Sequence, residues 1–158
     1  MNIAARLQWA IKKTRPLIAG LDVTLTPLFD LLIRLYVAEA FFKSGLTKVQ
    51  DWSVTLALFE HEYHVPFLPT PLSAVMGTVG ELFLPLLLAI GLAGRFGAAG
   101  LFVVNAVAVM SYPDLSDFGL QHHLLWGVML LVTLLHGPGR WSVDAWLARR
   151  FGGAPHPA

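Results

Sequence analysis

The sequence predicts an all-α integral membrane protein: a four-helix bundle with short interfacial amphipathic helices at the N-terminus, in the first outer loop and at the C-terminus. Three observations carry this reading. Hydrophobic residues make up 56% of the 158-residue chain and charged residues only 13%, where a soluble domain carries about a quarter charged. Four apolar runs approach or reach the roughly twenty residues a hydrocarbon core requires. Between them, Lys and Arg gather on alternate connections, as the positive-inside rule demands of an even number of spans.

The first fifteen residues, MNIAARLQWAIKKTR, put Ile3, Leu7, Ala10 and Ile11 on one helical face beside Arg6, Lys12, Lys13 and Arg15. That pattern suits a helix lying on a membrane surface. A secretory leader would place its charges before its apolar run, so no cleavage is expected.

The spans are expected at 23–42, 72–92, 96–112 and 120–136. The last two are shorter than the norm and suit a smaller tilt or an end within the interface. Arg6, Lys12, Lys13 and Arg15 precede the first span, Arg95 sits in the turn between the second and third, and Arg140, Arg149 and Arg150 follow the fourth. All three segments then face the cytoplasm, and the protein is a multi-pass component of a bacterial-type inner membrane with both termini cytoplasmic. Of the basic residues, only Lys43 and Lys48 fall on the outer side, in the segment that also holds Trp52, Leu56, Leu58 and Phe59 at helical spacing and the prolines at 66, 69 and 71. An interfacial helix followed by a rigid turn is expected there. At the C-terminus, 141–151 reads as a surface helix capped by Ser142 and anchored by Trp141 and Trp146.

Composition also excludes function classes. With no cysteine, the chain has no disulfide, thiolate metal site or thiol redox chemistry. A net charge of +1 gives no basic field for nucleic acid. No phosphate-binding Gly-rich loop, zinc-protease pair or nucleophile elbow is present.

The chemistry-bearing residues are the charges inside the apolar runs, because ionisable groups within a membrane are functional candidates by default. At 1.5 Å per residue, Arg34 in the first span and Glu81 in the second both fall about 16 Å deep, with Asn105 slightly lower. Asp30 lies one helical turn before Arg34. A midplane ligand-binding cluster of Asp30, Arg34, Glu81 and Asn105 is therefore expected; the alternative is a salt-bridge network that only fixes helix register. A second, outer polar layer should combine Glu39, Lys43 and Lys48 with His122, His123 and Trp126. There the histidines serve either proton exchange or hydrogen bonding to headgroups. His61 and His64, with Glu60 and Glu62 beside them, are a weak candidate for a transition metal, since Pro66 soon ends any helix that would align them.

The stretches LLIRLYVAEAFFKSGLTKVQDW, GTVGELFLPLLLAIGLAGRFGA and HHLLWGVMLLVTLLHGPGRWSVD, in this order and spacing, resemble the DoxX family of small four-helix membrane proteins over about residues 26 to 147. The resemblance matches Arg34, Gly45, Lys48, Glu81, Pro85 and Arg95. It implies a membrane bundle and involvement in redox chemistry near the quinone pool, since the related DoxD subunit belongs to an enzyme passing electrons from thiosulfate to quinone. It assigns no catalytic residue. The segment HEYHVPFLP looks like that of a family branch associated with metal-binding secreted peptides.

No intrinsic cofactor is expected, for the chain has no flavin, nicotinamide or evident haem motif. A bound quinone is the candidate ligand, held by Arg34 on a carbonyl with Glu81 or Asp30 as proton partner. The chain would then be an accessory or quinone-interacting subunit of a membrane redox system rather than a complete enzyme. The expected partners are the lipid bilayer, another redox or metal-handling protein, and a further copy of the chain. The alternatives are copper-type metal handling or small-ion transport through an outer mouth near Glu39 and His123, and a scaffold that recruits a soluble enzyme through its C-terminal helix.

Overall fold

The computed structural model describes residues 3–152, with the side chains of 3–8, 10, 11, 17 and 18 left aside. Among the described residues six helices follow one another: α1 (Ile3–Gln50), α2 (Trp52–His61), α3 (Thr70–Ile90), α4 (Gly94–Ser111), α5 (Asp117–His136) and α6 (Val143–Phe151). No strand occurs among the described residues. Four of the helices, α1, α3, α4 and α5, are long and apolar enough to cross a membrane, and the protein is an all-α, multi-pass membrane bundle.

One boundary differs from expectation in kind. The N-terminal amphipathic helix expected at 1–15 and the span expected at 23–42 form a single 48-residue helix that contains Pro16 and Pro27. Each proline removes one backbone N–H from the helical ladder without ending it. Helix α1 is about 72 Å long by its rise, and only its second half belongs to the bundle. The amphipathic face Ile3, Leu7, Ala10 and Ile11, with Arg6, lies outside the described side chains. The other ends shift by a few residues, because α3 starts at its N-terminal Pro69–Thr70–Pro71 and α5 is capped earlier than the apolar run begins, by Ser116 accepting from Gly119 N.

Small residues set how closely the helices approach, as expected where packing rather than hydrophobic exclusion drives association. Val37, Ala38 and Phe41 of α1 form one buried cluster with Leu88 of α3, Ala98 and Leu101 of α4 and Leu130 of α5, and Ile33 and Ala74 are buried as well. A side chain at Gly45 would come within 2.9 Å of Leu82 and 3.1 Å of the Glu81 backbone, so α1 and α3 touch there. Gly97 sits as closely on α3, near Leu88 N and Leu84 O. Helix α1 packs on α3, α3 on α4, α4 on α5, and α5 returns to α1, while α2 lies across α1 and α3. Large apolar side chains such as Phe83, Phe96, Val103, Leu124 and Leu135 point outward, the arrangement a lipid surroundings accepts.

The turn between α3 and α4 is made by left-handed residues, Gly91 at φ 67° and Ala93 at φ 47°. It is clamped from α6: the Asp144 carboxylate accepts from Ala93 N and Gly94 N, both at 2.8 Å. Ser142 caps α6 by accepting from Ala145 N. Both caps gather at the end of the bundle that also carries Arg95, Arg140, Arg149 and Arg150, here called the basic end.

Candidate functional site

The four residues expected to share one midplane cluster are distributed over three places. Arg34, 1% exposed, lies near the basic end. Its Nη1 donates to Leu88 O (3.2 Å) and Ala89 O (2.8 Å), and its Nη2 donates to Trp141 O (2.5 Å). The last carbonyls of a helix have no partners within it and carry the negative end of its dipole, so a guanidinium there answers both. Asp30 is one turn further toward that end and packs against Gly139, where an added Cβ would strike its carboxylate. This group fastens α1, α3 and the segment before α6 together.

Glu81 is elsewhere. It pairs with Lys48, Nζ to Oε2 at 2.5 Å, with side chains only 14% and 10% exposed. Lys48 also donates to Ser44 Oγ at 2.9 Å. The expected equal depth of Arg34 and Glu81 fails for a geometric reason. Taking the apolar run from Val23 as the start of the span put Arg34 in its middle, but the bundle portion of α1 begins near Asp30. Arg34 faces Leu88 and Ala89, while Gly45 faces Glu81; eleven residues of α1, about 16 Å, separate those levels.

Asn105 forms the third group, with His123. Asn105 Nδ2 donates to His123 O at 2.9 Å, and Asn105 Oδ1 is 2.8 Å from His123 Nδ1. Trp126 sets its ring edge-on to His123 at 5.1 Å and to Phe41 at 5.5 Å.

The outer polar layer is likewise divided. Glu39 and Lys43 pair at 2.6 Å on the exposed face of α1, their side chains 61% and 71% exposed. They do not reach Lys48 or the histidines. His122 bonds within α5 to Phe118 O. Glu60, His61 and His64 are exposed, and no group of three or more His, Asp or Glu converges on a metal position among the described residues.

What brings Lys48, Glu81 and His123 together is a cavity of about 420 Å³ between α1, α3, α4 and the 63–68 segment, at the end opposite the arginines. Its walls are mainly apolar, among them Phe59, Met76 and Val107. Two tyrosines and a serine that sequence reasoning did not single out also line it: Tyr63, Tyr112 and Ser111. The tyrosine rings meet at 5.3 Å, tilted by 50°, and Phe59 lies 4.9 Å from Tyr63, tilted by 48°. Burial, and after it the charge of Glu81, pushes the Tyr63 phenol above its ordinary pKa, so it stays a proton-bearing donor. The Ser111 hydroxyl is buried with no partner among the described residues. The signal available in the sequence was positional: Tyr63 and Tyr112 stand where two connections on the same side of the bundle meet their helices, and His64 N donates to Ser111 O across them.

A mostly apolar pocket with a few convergent polar groups has the form of a small-molecule site. Its donors are Lys48, Tyr63, Tyr112 and Ser111, and its acceptors Glu81 and His123.

A family model described as DoxX matches residues 29–113, more than half of the 158 residues. The chain is similar to an uncharacterized protein of Haemophilus influenzae, 31% identical over 123 residues that cover 72% of this chain and 80% of that protein. No solved structure matches the chain significantly. The family match begins at the residue before Asp30 and therefore takes in the bundle portion of α1 and omits the 3–28 extension.

Proposed function

The chain belongs to the DoxX family, and from that premise we propose that it is a quinone-interacting accessory subunit of a membrane redox system, holding a quinone-class ring in the cavity between α1, α3 and α4. The supporting observation is the Lys48–Glu81 pair, which sits against a mostly apolar 420 Å³ cavity also lined by Tyr63, Tyr112 and His123. An ion pair kept for register alone has no need of a cavity beside it. A bound quinone supplies two-electron, two-proton chemistry that the side chains of this protein lack. Lys48 and the tyrosines orient the ring by donating to its oxygens, Glu81 and His123 stand beside it as proton acceptors, and the apolar walls exclude water. Electrons come from a partner protein. Arg34, with Nη1 and Nη2 committed to backbone carbonyls and no place in the cavity wall, is a structural residue in this reading.

The proposed orientation follows the basic residues: both termini cytoplasmic in an inner membrane, with the cavity in the outer half. Titration of the purified, lipid-reconstituted protein with a short-chain quinone, followed by tryptophan fluorescence, tests the reading. Saturable quenching is expected for the wild type. It should be lost in Ala108→Phe, which fills the cavity from α4, and kept in Arg34→Lys. Quenching that survives Ala108→Phe unchanged overturns the proposal.

A further inference from the structure

The Asn105–His123 pair fixes which proton His123 carries. If the Asn105 amide were turned over, its oxygen would face the His123 carbonyl oxygen at the 2.9 Å now spanned by a hydrogen bond, and two acceptors would meet. The amide therefore presents its nitrogen to the carbonyl and its oxygen to the ring, 2.8 Å from Nδ1. An oxygen acceptor there requires Nδ1 to be the protonated nitrogen. In the neutral ring Nε2 is then a bare acceptor.

Nε2 has no partner among the described residues. The same holds for the second carboxylate oxygen of Glu81, whose Oε2 takes Lys48. Neither atom is among the sealed unpartnered atoms of the interior, and both residues line the cavity. Of the remaining polar groups of the wall, Lys48 is a fixed donor with two of its three N–H groups already given to Glu81 and Ser44, a demand that a carbonyl or a hydroxyl oxygen meets equally. The hydroxyls of Ser111, Tyr63 and Tyr112 adapt as donor or acceptor, while the His123 and Glu81 acceptors are fixed. An occupant with oxygens that only accept leaves both unmet, and unmet buried acceptors weaken binding. An occupant with hydroxyl groups satisfies them.

We infer that the cavity recognises the hydroxyl-bearing, reduced form of its ring, a hydroquinone or phenol, through a hydrogen bond donated to His123 Nε2, with Asn105 as the residue that positions this acceptor. This inference rests on the proposed quinone-class reading and adds which form the site selects.

The test compares three probes under anaerobic conditions on the reconstituted protein: a short-chain alkyl hydroquinone, its dimethyl ether and the matching quinone. The wild type should bind the hydroquinone at least about tenfold more tightly than either, the scale of one buried hydrogen bond. Asn105→Leu and His123→Leu should each reduce that preference toward unity. Independently of any ligand, nitrogen-15 spectra of histidine-labelled protein should show His123 protonated at Nδ1 and bare at Nε2. The Nε2 resonance should move on adding the hydroquinone and stay on adding the ether. Equal or tighter binding of the quinone overturns the inference and leaves the quinone-class reading standing; binding of none of the three overturns both. A wild-type His123 protonated at Nε2 overturns the inference even if the Asn105 variant fails to fold.

Discussion

Lys48 Nζ meets Glu81 Oε2 at 2.5 Å across the contact of α1 with α3, thirty-three residues apart in sequence and level with Gly45. The pair is nearly closed to solvent, so its members depend on each other. Removing one strands a charge in a low-dielectric interior, at a cost of about 3–5 kcal/mol, whereas replacing both with apolar groups of similar volume is close to neutral. Lys48→Met and Glu81→Leu should therefore each lower the thermal unfolding temperature in lipid or detergent. The double variant should recover most of that loss and still bind quinone poorly. Recovery of binding along with stability would reduce the pair to a fastener.

Arg34 should behave in the opposite way. Its three hydrogen bonds join the end of α3 to Trp141, and hydrogen bonds from a charged donor contribute about 1.5–3 kcal/mol each. In Arg34→Met the carbonyls of Leu88, Ala89 and Trp141 each lose the bond from the guanidinium, with Leu88 O keeping only Gly91 N, and the segment leading into α6 loses one of its ties. Limited trypsin digestion at Arg149 and Arg150 should become faster, with quinone affinity within about twofold of wild type in the fraction that remains folded. Arg34→Lys should recover part of the protection, since an ammonium reaches fewer of the three acceptors. Unchanged digestion would remove the fastening role.

These two residues also mark where the sequence was legible. The four spans follow from hydrophobic runs, and the outer-loop helix and the Ser142 cap from local patterns that act within a few residues. Relative depth does not. It depends on where α1 enters the bundle, and the apolar residues of its extension, Leu21, Val23 and Leu25, are exposed although their composition matches that of a span. An error of seven residues in that entry point moves Arg34 from the middle to the end of the bundle. The sequence places Lys48 in the outer layer and Glu81 at the midplane for the same reason, and a lysine stem long enough to reach inward closes the gap. Neither tyrosine belongs to a periodic run, so nothing in the sequence marks them. Asn105 and His123 each stand out as polar residues in apolar runs, but their partnership is a matter of helix rotation, which composition does not reveal.

Acid should loosen α2 before the bundle. The Asp51 carboxylate accepts from Ser53 Oγ at 2.6 Å and Val54 N at 3.0 Å, and these bonds, the Ser53 one foremost, hold its pKa below the usual value. A group with a depressed folded pKa contributes stability that is fully present above its unfolded pKa, near 3.9, and lost as pH falls through the folded one. The protection of amides at the start of α2, taken relative to their intrinsic exchange rates, should therefore fall below about pH 4, and Asp51→Asn should flatten that dependence. Exchange within α3 should not follow it.

Gly91, at the basic end, is hard to replace for two independent reasons. Its φ of 67° is a left-handed conformation that costs other residues about 1–2 kcal/mol. An added Cβ would also fall 2.6 Å from Arg34 Nη1 and 2.5 Å from Ser142 Cβ, closer than real atoms approach. Gly91→Ala should then destabilise the protein by more than the backbone term alone, because the guanidinium must leave the Leu88 and Ala89 carbonyls or α6 must move. Asn tolerates the left-handed region better than Ala, but its Cβ meets the same atoms. If conformation alone mattered, Gly91→Asn would be markedly milder than Gly91→Ala; if the space belongs to Arg34 and Ser142, both should unfold at similarly reduced temperatures. Combining Gly91→Ala with Arg34→Met should cost less than the sum of the two, since the second change removes one of the atoms the first would strike. Strict additivity in that cycle would show that Gly91 and Arg34 act separately.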